Sequence, residues 1–248
     1  MMAGSHSAIA QTSPRPSKAW ETCALVERKE DSCHAGDPFR PFEEFLVPGT
    51  WATTPKDCFS GEFDTTQPGD KQYKVTWTEV GTFGSTRIRQ VQYATEGSAF
   101  ADLLLAQGPG NTFMPLMKWA GQMPAAKIHE PDGTQVLVIN KDFGGNVPMV
   151  KTWAWIWGPN GPRRLDWMAA VEQAMAKVAP GYSGYTTGLH WDDLHYETWV
   201  WKGDYPGKIG VGATVEAWFK LGRTGLILKR AELRVDSDDH PTTVRWPK

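Results

Sequence analysis

The densest run of groups able to do chemistry is His190-Trp191-Asp192-Asp193-Leu194-His195-Tyr196-Glu197. Imidazoles and carboxylates this close together suit a transition metal or acid–base work. In an extended chain, alternation puts His190 and Asp192 on one face and Asp193, His195 and Glu197 on the other. A strand face supplies only two or three ligands, so the rest must come from elsewhere. On the reading that the chain is a metal-assisted hydrolase, His190 or His195 converges with another acid such as Glu216. The plainer reading is a loop entering a strand, with Asp192 or Asp193 closing a turn hydrogen bond.

The second candidate chemistry is aromatic. The chain carries 13 tryptophans, and a flat indole beside charged groups can stack on the C–H faces of a sugar or an apolar ligand. Trp153, Trp155 and Trp157 fall at i, i+2 and i+4 and share a strand face, as do Trp199 and Trp201. Such stripes are ordinarily core. Trp218 breaks that rule. Around it Ala213, Val215, Ala217, Phe219 and Leu221 alternate with Thr214, Glu216 and Lys220, and Trp218 falls on the polar side. The ligand-binding candidates are therefore Trp218, Glu216, Trp199, Trp201 and Trp155.

Familiar signatures fail. H-E-x-x-H and the P-loop are absent, and Gly181-Tyr182-Ser183-Gly184-Tyr185 is one residue wrong for the nucleophile elbow. Gly210-Val211-Gly212 lacks the third glycine of a dinucleotide fingerprint. Asp236-Ser237-Asp238-Asp239-His240 lacks the glycine and distant glutamate of a calcium loop. No catalytic residue, metal ligand set or cofactor is assigned. Cys23, Cys33 and Cys58 form no C-x-x-C; a Cys23–Cys33 bridge needs an oxidising compartment, and the odd count leaves a thiol over, expected to be buried.

These residues need elements to hold them. Residues 1–19 are small, polar and proline-broken, the signature of a disordered leader. Within them Ala8-Ile9-Ala10 is either a trace of a secretory cleavage site or a coincidence. Residues 20–70 read as an irregular Pro/Phe-rich arm packed on the body. Residues 71–235 read as that body. Strands are expected over 71–80, 86–94, 127–140 (a hairpin turning at Pro131-Asp132-Gly133), 149–157, 195–202, 212–221 and 226–235. A short helix is expected over 98–107, capped by Ser98. A long amphipathic helix is expected over 163–179, opened by Pro162 and closed by Pro180-Gly181. That places Arg163 and Arg164 in a first turn, where the dipole disfavours cations and an anion contact would explain them. Residues 236–248 read as a polar tail.

The fold class is α+β: a mainly antiparallel sheet of about seven strands with the two helices packed on it. A chain of 248 residues, 40% hydrophobic and 22% charged, can bury a large core. Its net charge of −2 argues against a nucleic-acid partner, and no run approaches the roughly 18 apolar residues of a membrane span. The expected function is a non-catalytic, extracytoplasmic (secreted or periplasmic) binding or accessory module. Its partner would be a glycan, an amphiphile or a protein.

Overall fold

The structure is a computed structural model that describes residues 49, 51–53, 61–63, 73–95, 98–109, 112–144, 150–202, 212–236 and 242–247. The three cysteines, the 1–19 leader, most of the 20–70 arm and residues 237–241 lie outside them. The chain divides into two compact units, Met1–Glu79 with Arg89–Met123, and Val80–Ile88 with Pro124–Lys248.

In chain order the first six strands are Ala52–Thr53 (β1), Gly61–Phe63 (β2), Tyr73–Phe83 (β3), Thr86–Thr95 (β4), Ser98–Gln107 (β5) and Thr112–Ala120 (β6). They form one sheet in the order β1-β6-β5-β4-β3-β2. The expected helix over 98–107 is thus a strand. Its Ala and Leu content favours a helix, but Leu103, Leu104, Leu105 and Ala106 are all buried. A strand enclosed on both faces takes such an unbroken apolar run, and burial outweighs intrinsic preference. Asp102, buried in the same strand, accepts hydrogen bonds through Oδ2 from Gln90 Nε2 at 2.9 Å and Met123 N at 2.8 Å.

The second unit holds the chemistry. Lys127–His129 (β7), Val136–Asp142 (β8), Val150–Gly158 (β9) and Gly161–Leu165 (β10) form a four-stranded sheet in the order β10-β9-β8-β7. Tyr182–Gly184 (β11), His195–Lys202 (β12), Gly212–Leu221 (β13), Leu226–Asp236 (β14) and Thr242–Trp246 (β15) form a five-stranded antiparallel sheet in that order. The expected single sheet is therefore three sheets. The tail expected over 236–248 instead contributes β15, with Val235 opposite Thr242 and Ala231 opposite Trp246.

The helix expected over 163–179 is shorter, Met168–Val178 (α1). Pro159 and Asn160 make a two-residue turn that returns the chain as β10, with Gly161 opposite Gly158. Pro162 does not open the helix. It sits in an edge strand, where a missing N–H costs no ladder bond. The helix begins where Asp166 Oδ1 accepts the Ala169 N–H at 3.2 Å. Arg163 and Arg164 accordingly lie on β10 and not in the first turn of the helix. Arg163 Nη2 donates to the Arg223 carbonyl at 2.7 Å, and the Arg164 guanidinium lies 4.8 Å from the Trp155 ring. Desolvation lowers the Arg164 pKa from its ordinary value, with Asp166 opposing.

Both sheets of this unit and α1 share one core. Val136, Val138, Ala154, Ile156 and Leu165 come from the four-stranded sheet, and Ala170, Val171, Ala174 and Val178 from α1. Tyr196, Val200, Ala213, Val215, Ala217, Phe219, Leu228, Ala231 and Leu233 come from the five-stranded sheet. Burying each large aliphatic side chain contributes roughly 1.5–3 kcal/mol. That packing holds an 11-residue helix that would be marginal alone. The alternation in β12, β13 and β14 commits one face of the five-stranded sheet to this core and turns the other outward. No helix among the described residues is long and apolar enough to cross a membrane.

Candidate functional site

The outward face of the five-stranded sheet collects most of the sequence-predicted site. Cross-strand register sets His195 opposite Trp218 opposite Arg230, and Glu197 opposite Glu216 opposite Glu232 opposite Arg245. The next row is Trp199, Thr214, Arg234 and Thr243. Trp201 lies two residues beyond Trp199 on the same face, its ring 4.7 Å from that of Tyr185. Four of the five ligand-binding candidates, Trp199, Trp201, Glu216 and Trp218, therefore share one sheet face. Trp155 does not. It is 3% exposed on β9 of the other sheet, paired with Arg164.

The tryptophans differ in what covers them. Trp218 is flanked on its two sides by the neighbouring strands. The His195 ring stacks on it at 4.9 Å with an interplanar angle of 21°, and the Arg230 guanidinium lies 3.7 Å from its centroid. Cation–π attraction and stacking hold the indole in place, and its faces are occupied. The expected stacking of a ligand on Trp218 thus has no open ring face to use. Trp199 is 68% exposed, and among the described residues no ring or cation stacks on it. It is the open indole of this face.

The charged groups form a second pattern. Glu232, only 6% exposed, has Arg245 Nε at 3.3 Å, Arg234 Nη2 at 3.6 Å and Arg230 Nε at 3.7 Å. Arg234 also donates to Glu216, with both terminal nitrogens 3.3 Å from its oxygens. Glu197, exposed beside Trp199, has no cation partner among the described residues.

The His190–Glu197 cluster is a turn entering a strand rather than an extended run throughout. His190 and His195 exchange both backbone hydrogen bonds, at 2.8 and 3.2 Å, around a turn over 191–194. Leu194 takes a left-handed conformation, φ 52°. The turn brings the two imidazoles together, with ring centroids 5.9 Å apart, and sends Trp191 and Leu194 into the core. Asp192 points elsewhere: its Oδ1 meets His129 Nδ1 at 2.7 Å. His195 Nε2 is shielded from solvent and has no hydrogen-bond partner among the described residues. Among those residues no three His, Cys, Asp or Glu side chains are grouped to hold a metal ion.

Sequence reasoning missed Tyr185, Arg230, Glu232, Arg234 and Arg245. Arg230, Glu232 and Arg234 fall at i, i+2 and i+4 on β14, so their shared face was readable once that strand was expected. Arg245 was not, because its strand reads as a tail. Comparison of the chain with known protein families, characterised proteins and solved structures finds no match.

Proposed function

We propose that the protein is a non-catalytic binding module whose platform is the outward face of the five-stranded sheet, and that its ligand is a glycan. The observation that carries this reading is Trp199, a widely exposed indole on a strand paired on both sides, with carboxylates and guanidinium groups around it. Pyranose rings present flat C–H faces to an indole and hydroxyl groups to planar charged partners, and this face offers both. An amphiphile would need a larger continuous apolar surface than one open indole with Trp201 and Tyr185 beside it. The Ala8-Ile9-Ala10 run supports an extracytoplasmic setting.

The test is intrinsic tryptophan fluorescence during titration with a panel of oligosaccharides and amphiphiles, with and without zinc and calcium. The expected result is a saturable shift with oligosaccharides that is lost in Trp199→Ala and independent of added metal. A metal-dependent response lost in His190→Ala or His195→Ala, with no response to any sugar, would move the assignment to hydrolysis.

A further inference from the structure

We infer that the glycan held by this face carries free primary amino groups, so that the protein recognises an amino sugar chain rather than a neutral or acidic one. The inference rests on the glycan reading above and adds the charge of the ligand.

Charge is unevenly distributed across the face. Arg230, Arg234 and Arg245 all turn toward Glu232, and Arg234 also toward Glu216. Arg230 additionally covers Trp218. These three arginines are thus already engaged with carboxylates and an indole. An acidic sugar would have to displace those contacts. On the β12 side the situation is reversed. Glu197 is exposed and unpaired among the described residues, and Glu216 stands directly opposite it. Two carboxylates in directly opposed positions on adjacent strands repel one another, and Arg234 relieves only Glu216.

The position of Glu197 gives that free charge its chemistry. Along β12 the side chains at i−2 and i+2 share its face, so Glu197 lies between the His195 imidazole and the open Trp199 indole. A carboxylate next to an accessible indole satisfies an ammonium group in two ways, by ion pairing and by attraction to the ring face. A pyranose stacked on Trp199 would carry an equatorial amine within reach of Glu197, while its oxygens face the guanidinium side of the sheet. Neutral acetamido sugars could stack on the same indole but would leave Glu197 without a cation.

The test compares a β-1,4-linked glucosamine tetramer with its N-acetylated counterpart, binding each to the full chain at low and at high salt. These probes differ only in amine charge and acetyl group. An exposed ion pair together with one cation–π contact predicts that the free-amine tetramer binds about five- to ten-fold more tightly at low salt. That preference should disappear in Glu197→Gln and shrink at high salt, while Trp199→Ala weakens both tetramers. Equal binding of the two tetramers, or a preference that survives Glu197→Gln, overturns the amino sugar assignment and leaves the glycan platform standing. A lysine tetrapeptide binding as tightly as the free-amine tetramer also overturns it, because charge alone would then suffice. If neither tetramer nor any other glycan binds, the platform reading itself fails, and the inference with it.

Discussion

Glu197 and Glu216 stand directly opposite one another on β12 and β13, and among the described residues only Glu216 of the two has a guanidinium in contact, that of Arg234. Such an arrangement costs stability in the free protein, since opposed like charges in a sheet are unfavourable by a few tenths to about 1 kcal/mol. Glu197→Gln should therefore stabilise the unliganded protein by about 0.3–0.8 kcal/mol in urea unfolding, the gain fading as salt rises. A loss of stability in that variant would mean that Glu197 has a structural partner.

Trp199 and Trp218 should respond unequally to truncation. Trp199→Ala removes an indole that touches little of the described protein, so unfolding free energy should change by less than about 0.5 kcal/mol. Trp218→Ala removes a ring held between His195 and Arg230 and should cost about 1–2 kcal/mol. Chemical denaturation of the two variants measures the contrast directly.

Glu232 anchors three arginines from a nearly buried position. Glu232→Gln keeps the shape and removes the charge, leaving the three guanidinium groups to repel one another. The arginines are half exposed or more, so solvent screens the loss, and a cost of about 1–2 kcal/mol is expected. The same variant should leave Arg234 on Glu216 but free Arg245 to take anions, detectable as new binding of sulfated sugars absent from the parent.

Gly84 turns the β3–β4 hairpin with φ 59°, and a Cβ there would run into the ring of Trp157. Its N–H donates to Gln135 Oε1 at 2.8 Å. Gly84→Ala adds left-handed strain to that collision, and a loss of about 2–3 kcal/mol is expected from thermal or urea unfolding.

How much of this was legible in the sequence depends on the kind of information each feature needs. The alternation in β13 was visible in the residues alone, and so was the outward turn of Trp218, because side-chain direction in a strand is a local property. The strand over Ser98–Gln107 was not. Its Ala and Leu content is helical, and only enclosure on both faces turns it into a strand. Pro162 misled in the same way, since a proline after a Gly/Pro turn suits a helix start and an edge strand equally. The face itself was the least legible. That Glu197 meets Glu216, that Arg230 covers Trp218 and that Arg245 reaches Glu232 are all matters of register between strands. Register is fixed by the core of the whole sheet and not by any one segment.

We propose the outward face of the five-stranded sheet as a glycan platform with Trp199 at its centre. A glycan array probed with the parent protein and with Trp199→Ala tests it most directly. Reproducible binding to a limited set of sugars is expected for the parent, and loss of that binding for the variant, with stability unchanged. The same sugars bound equally by both proteins, or no sugar bound by the parent, would contradict it.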